Sequence, residues 1–218
     1  MRSAIISIEG APDVGKSAIA AALARLGAFV VPEVNQLFAK PKPEPPDWYY
    51  DRQNARWEMA QLKAAQGRLA VLDGDPFQPI WFSWIYQDED WPPVSDAVEF
   101  YRRRIADHRM AFPGLYVFAW IAEAERRERM LARERARGLE EERARRKTAH
   151  YARMVEPQRR FFGALADRFP GSVLFVETAC LDETLAGVRA AQERTAPMDS
   201  LEALNFIAEW AANNPSNA

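Results

Sequence analysis

Near the start of the chain, Gly10-Ala11-Pro12-Asp13-Val14-Gly15-Lys16-Ser17 sets two glycines, a lysine and a serine at the spacing G-x-x-x-x-G-K-[ST]. Those residue types at those intervals suit one task, wrapping a backbone around polyphosphate. Glycines let the chain bend through conformations closed to residues with a Cβ, turning successive N–H groups inward onto phosphate oxygens. The lysine neutralises β/γ charge, and the serine hydroxyl meets Mg²⁺. The expected nucleotide cradle is Gly10, Pro12, Asp13, Val14, Gly15, Lys16, Ser17 and Ala18, taking ATP with Mg²⁺. Lys16 is also expected to act on the transferred group.

Binding a triphosphate does not say what becomes of it, so the acids and cations further along matter. Val30-Val31-Pro32-Glu33-Val34 puts a carboxylate just past an apolar run. A carboxylate facing the γ-phosphate can accept the proton of an acceptor hydroxyl, which makes Glu33 the candidate base. The bland alternative is a solvent-exposed loop glutamate. Leu69-Ala70-Val71-Leu72 ends in Asp73, placed to join Ser17 in organising Mg²⁺, a cation satisfied by few carboxylates plus water. Asp75 is the alternative for that task, and an Asx turn around Gly74-Asp75-Pro76 explains both acids structurally.

Arg126, Arg127, Arg129, Arg133, Arg135 and Arg137 precede Gly138 on a strong helix former. Phosphoryl transfer spreads negative charge over oxygens, and arginines on a mobile lid can clamp it, a role expected of Arg133 and Arg135. For any single arginine the competing expectation is a surface pair with Glu125, Glu128 or Glu134. Trp48, Tyr49, Tyr50 and Trp57, then Trp81, Phe82, Trp84, Tyr86 and Trp91, form an aromatic concentration that could sandwich a planar acceptor. Most of these rings are expected in the core. Arg102, Arg103 and Arg104 start a helix near the acceptor or form a solvated basic face.

These residues need a frame. Apolar runs at 4–9, 28–32, 69–73, 115–121 and 172–177 read as strands with helix-like segments between them, the pattern of βαβ units and a parallel sheet. Strand ends should then converge at the phosphate loop, Glu33, Asp73, the region after Trp120, and Glu177-Thr178-Ala179. The fold class implied is α/β, a P-loop NTPase of three α/β/α layers with a parallel five-stranded sheet, a helical lid and an appended C-terminal helix. Residues 40–47 are too proline-dense for helix or central strand, and a helix from about Trp48 to Arg68 follows. Glu123 to Leu165 is helical with interruptions at Gly138 and Pro157. The kinase-sized domain spans 1–195. Residues 196–218 add an amphipathic helix with the stripe Leu201, Leu204, Ile207, Ala208 and Ala211, then a disordered tail. The stripe is expected to pack on its own domain, with a partner or a homodimer as the other option.

Composition narrows the class. The chain has 218 residues and a formal net charge of −2, so no global basic field points to a nucleic-acid polymer. One cysteine, Cys180, excludes an intrachain disulfide, fits a reducing cytoplasm and is expected as a small core residue. With two histidines it makes a structural zinc site implausible. No apolar stretch is long enough for a membrane span, so a soluble cytoplasmic protein is expected.

At these residues the chain resembles the deoxyribonucleoside kinases and their thymidylate kinase relatives. Ile6-Ser7-Ile8-Glu9-Gly10 leading to Gly15-Lys16-Ser17 is similar to their opening strand and loop, and Val31-Pro32-Glu33 to the segment carrying their general base. Arg129, Arg133 and Arg135 before Gly138-Leu139-Glu140-Glu141 resemble their lid. The resemblance spans roughly residues 4 to 180 and implies transfer of the γ-phosphoryl of ATP to a hydroxyl of a small molecule, first of all a nucleoside. Where that family has an acid followed by arginine after the third strand, this chain has Asp73-Gly74-Asp75. A looser similarity to chloramphenicol phosphotransferase therefore keeps an antibiotic or other metabolite open as acceptor. The rival from another class is a regulatory ATPase or switch without an acceptor.

Overall fold

The computed structural model describes residues 4–87, 89, 91–194 and 197–216. The elements run β1 (Ile5–Glu9), α1 (Lys16–Arg25), β2 (Phe29–Val31), α2 (Val34–Leu37), α3 (Trp48–Ala65), β3 (Ala70–Asp73), α4 (Gln78–Ile85) and α5 (Val94–Ala106). They continue as β4 (Leu115–Trp120), α6 (Glu123–Ala136), α7 (Glu141–Ala152), α8 (Val155–Arg168), β5 (Val173–Glu177), α9 (Leu181–Arg194) and α10 (Ser200–Asn213). Each strand falls within or beside the span its apolar run predicts.

The five strands form one sheet in the order β2-β3-β1-β4-β5, all pairings parallel. β1 is central, with Ile6 opposite both Val71 and Leu115. Alternation divides β4 between two cores. Tyr116 and Phe118 face a layer with α3, α4, α5, α8 and α10, while Leu115, Val117 and Ala119 face α1 and α9. Both faces are covered, which is why the strands read as continuous apolar runs. Because the chain leaves β1 for one side of the sheet and later returns to the other at β4, a crevice opens beyond the carboxyl ends of β1 and β3.

The sequence expectations differ from the structure at the Pro157 break, at Leu201, in the tail and at Cys180. The break expected at Pro157 falls at 153–154 instead, with Pro157 in the first turn of α8, where its missing N–H would have had no helical partner. α10 packs on its own domain, as its apolar stripe predicts. It is capped by Asp199, whose carboxylate accepts from the Glu202 N–H at 2.8 Å, and it buries Ala203, Leu204, Ile207 and Ala211 in the main core. Leu201, expected on that stripe, is exposed. The tail is held as far as it is described, since Trp84 Nε1 donates to the Asn214 carbonyl at 2.7 Å and Ser216 is buried. The boundary expected at 195/196 and the last two residues, 217 and 218, lie outside the described residues. Cys180, expected in the core, is exposed beyond the end of β5. No described helix is long and apolar enough to cross a membrane.

Candidate active site

The phosphate loop links β1 to α1, so backbone N–H groups at the start of a ten-residue helix face the crevice. Gly10 has φ 141° and sits so close to β4 that a Cβ would lie 2.2 Å from the Ala119 carbonyl oxygen, a clash no side chain relieves. Gly15, at φ 103°, ends the loop as the N-cap of α1. Asp13 between them also holds a positive φ of 71°, a region tolerated by Asp but uncommon for residues other than glycine. Thr178, just past β5, donates its hydroxyl hydrogen bond to the Val14 carbonyl and pins the loop from the far side.

Two cavities meet in this crevice. The inner one, about 200 Å³, is lined by Glu9, Lys16, Glu33, Tyr49, Gln53, Arg56, Asp73, Phe82 and Tyr151 among others. The outer one, about 730 Å³, is lined by Asp13, Gly15, Lys16, Ser17, Ala18, Glu33 and a row of lid cations. Lys16, Glu33 and Tyr151 belong to both.

The wall of the inner cavity is a closed hydrogen-bonded network. Glu9 accepts from the Gly10 N–H at 2.8 Å, the Asp75 N–H at 2.8 Å and Gln158 Nε2 at 3.1 Å. Asp75 accepts from the Phe77 N–H and the Tyr116 hydroxyl, both at 3.0 Å, and from Trp81 Nε1 at 3.1 Å. Burial pushes the Asp75 carboxyl up to about 7, and the charge of Glu9 adds to the shift. Glu9 is raised too, by burial, against the pull of Lys16. With three donors aimed at it, Asp75 ties β3 to β4 and α4. Its oxygens are committed to this network, which leaves Asp73 as the less committed of the two acids.

Asp73 is placed differently. Ser17 Oγ lies 3.4 Å from its Oδ2, and its Oδ1 is buried with no partner. A serine hydroxyl beside an uncommitted carboxylate is the hard-oxygen donor set that a magnesium ion takes. Among the described residues no group of three or more His, Cys, Asp and Glu could hold a metal by protein ligands alone. Asp73 and Ser17 thus fit an ion shared with phosphate and water.

Arg56 occupies the ground between β2 and β3. Its Nε donates to the Pro32 carbonyl at 2.8 Å, Nη1 to Gln53 Oε1 at 2.6 Å, and Nη2 to the Asp73 and Gly74 carbonyls at 2.5 and 3.0 Å. One buried guanidinium therefore joins the segment leading to Glu33 to the one carrying Asp73. Gln53 keeps its amide nitrogen buried and unpartnered.

Over the outer cavity, α6 and α7 form a helical hairpin. Arg129, Arg133 and Arg137 of α6 and its C-cap line the cavity together with Lys147 of α7. Their spacing is i, i+4, i+8, which keeps them on one face of the helix. Glu134 holds the row, accepting from Arg133, Arg137 and Lys147, and the Lys147 hydrogen bond keeps its carboxyl below the usual range. Arg133 also reaches the phosphate loop, with Nη1 2.9 Å from Asp13 Oδ1.

Solved structures share this fold. The deoxyadenosine kinase from M. mycoides with bound dATP is 17% identical, with 87% of this chain and 99% of that chain covered at a TM-score of 0.51. The thymidylate kinase from Candida albicans is 13% identical, with 88% and 92% covered at 0.49. The fold is that of a P-loop kinase. No protein-family model matches the sequence, and no curated protein matches it.

On this P-loop kinase fold the residues singled out from sequence separate into two groups. Gly15, Lys16, Ser17, Ala18, Pro12, Asp13, Glu33 and Arg133 line the outer cavity, and Gly10, Glu33 and Asp73 line the inner one. Val14 stands behind the loop in the core. Arg135 is the exception: it points away from both cavities and forms a bidentate pair with Glu141 at 2.7 Å on the lid's outer surface. Two residues along a helix turn a side chain through about 200°, so Arg133 and Arg135 cannot share a face. Arg102, Arg103 and Arg104 also lie elsewhere, paired with Asn205, Glu99 and Asp51. Of the aromatic residues, Trp57, Trp81, Trp84 and Tyr86 are core, while Tyr49 and Phe82 reach the inner cavity. Arg56, Gln53 and Lys147 were missed. The i, i+4, i+8 spacing was the signal that would have put Arg129 and Arg137, not Arg135, on the face of Arg133.

Proposed function

We propose that the protein is an ATP-dependent kinase that transfers the γ-phosphoryl group to a hydroxyl of a small, unphosphorylated acceptor, with a nucleoside as the first choice. One observation carries the reading: a cavity lined by phosphate loop and lid cations adjoins a second, smaller cavity, and the two share Lys16 and Glu33. A switch or regulatory ATPase has no use for the inner chamber.

In this reading the loop N–H groups and Lys16 hold the polyphosphate, and Arg133 with its neighbours on the i, i+4, i+8 row balances charge as it spreads over the transferred group. Glu33 orients the acceptor hydroxyl and takes its proton. Ser17 and Asp73 would hold Mg²⁺, which bridges and neutralises phosphate oxygens when bound. Tyr49 and Phe82 offer flat walls to a planar base, and the free amide nitrogen of Gln53 offers it a donor. A nucleotide acceptor would bring its own phosphate to the reacting end and need a further free cation in the inner cavity. Arg56 is spent on three carbonyls and Gln53, which favours a nucleoside over a nucleotide.

The test is to incubate the protein with Mg²⁺-ATP and a panel of nucleosides, nucleoside monophosphates and hydroxylated antibiotics, then weigh the products. A gain of one phosphoryl group on a nucleoside is expected. Modification of an antibiotic instead would keep the reaction and change the acceptor. ADP and free phosphate with no acceptor modified would replace the kinase reading by an ATPase.

A further inference from the structure

Resting on the kinase reading, we propose that the acceptor has two parts, a hydroxyl-bearing part seated in the inner cavity and an uncharged aromatic ring that extends from it into an adjoining groove. The groove, about 490 Å³, shares Asn35 and Tyr49 with the inner cavity, so the two adjoin at the Tyr49 ring. Tyr49 is fixed there, its hydroxyl donating to Gln78 Oε1 at 2.5 Å.

The walls state what fits. Pro45, Pro46, Pro79 and Pro92 contribute rigid apolar surface without N–H donors, and Trp48 and Trp91 contribute broad rings. Trp91 remains 38% exposed although it packs on Phe82, centroid to centroid 5.1 Å, and Phe82 itself lines the inner cavity. Packed aromatic rings thus link the inner cavity to the groove. The groove's charged side chains, Lys40 and Glu44, are 2.5 Å apart and neutralise one another. The groove thus carries no net charge to favour a phosphate, carboxylate or ammonium, whereas a flat neutral ring would stack. The inner cavity by itself is also smaller than the few hundred Å³ typical of small-molecule sites.

A matched pair of probes tests this: 2′-deoxyadenosine and its N6-benzyl derivative, which carries one extra neutral ring. Dissociation constants are measured by calorimetry for the wild type, for Trp91→Ala and for Pro92→Asp, the last placing a charge in the groove at an exposed position. The benzyl derivative is expected to bind the wild type about tenfold tighter than deoxyadenosine. In both variants the two compounds should bind within about twofold of each other. Equal or weaker binding of the benzyl compound by the wild type would overturn the proposal, as would an undiminished gain in both variants. Phosphorylation of deoxyadenosine, followed by mass in the same wild-type sample, separates the two claims. Intact transfer without a benzyl gain removes the groove alone, a benzyl gain without transfer removes the kinase reading alone, and binding of neither compound removes both.

Discussion

The inner wall and the lid hold their arginines in opposite ways. Arg56 is 1% exposed and has carbonyl or amide oxygens on Nε and both terminal nitrogens, with no carboxylate among them. The lid arginines are paired with carboxylates, and many of those pairs face water. A dry guanidinium satisfied by backbone oxygens is costly to disturb, whereas exposed ion pairs exchange partners at little cost. The inner wall is therefore built to keep its shape, and, on the proposed kinase reading, the lid would trade Asp13 and Glu134 for phosphate oxygens.

The comparison breaks first at Arg56. Replacing it with Ala leaves the carbonyls of Pro32, Asp73 and Gly74 unpaired in a dry wall, at an expected cost of about 3–5 kcal/mol. Urea unfolding followed by tryptophan fluorescence measures it. A loss below about 1 kcal/mol would mean the wall relaxes and is not rigid.

Glu33 stands between the two regions. Glu33→Gln preserves shape and removes the proposed base, so turnover should fall by about 10²-fold with nucleotide affinity retained. Steady-state kinetics and a nucleotide titration separate the two effects. Normal turnover would remove Glu33 from the mechanism.

Glu33 and the loop were legible because each follows directly on an apolar strand, where one-dimensional order and spatial order coincide. The strands were legible for a related reason, since burial on both faces leaves unbroken apolar runs such as Leu115 to Ala119. Arg56 was not legible. It sits in Trp48–Ala65 among Asp51, Arg52 and Glu58, reading as one more surface charge, and its partners lie 17 to 24 positions away except for Gln53. Asp75 was ambiguous because an Asx turn and a metal ligand look alike until its partners, Tyr116 and Trp81, are seen. Arg135 was misplaced by counting arginines instead of turning them about the helix axis.

The two regions should also respond to pH with opposite signs. Folding raises the Asp75 carboxyl from 3.8 to about 7 through burial and the nearby Glu9. Between those values the folded chain holds a proton that the unfolded chain has released, so stability falls as pH rises through this window and levels off above it. Glu9, also raised, acts in the same direction. Over pH 5 to 8 the loss should be roughly 2 kcal/mol, and Asp75→Asn should flatten the slope while lowering stability overall. On the lid, Arg135 and Arg145 hold the Glu141 carboxyl down to about 2. Its contribution is complete above the ordinary carboxylate range and is lost only in acid. Denaturant midpoints across pH 3 to 9 check both signs, and a wild-type stability that rises from pH 5 to 8 would contradict the assignment at Asp75.

The smallest effects test the lid itself. Arg133 and Arg135 belong to the same helix and differ in what they face, one the phosphate loop at Asp13 and the other Glu141 in solvent. Arg133→Ala should lower kcat/KM by about tenfold or more, because a donor is removed from the place where transfer builds charge. Arg135→Ala should stay within about twofold, since an exposed pair is screened and adds little. The first loss should appear in kcat, as expected of a contact that strengthens in the transition state, with the KM for ATP changed less. Equal losses at the two positions would mean that the hairpin turns over the loop during turnover and presents both faces. The row Arg129, Arg133 and Arg137 would then describe a resting arrangement instead of the working one.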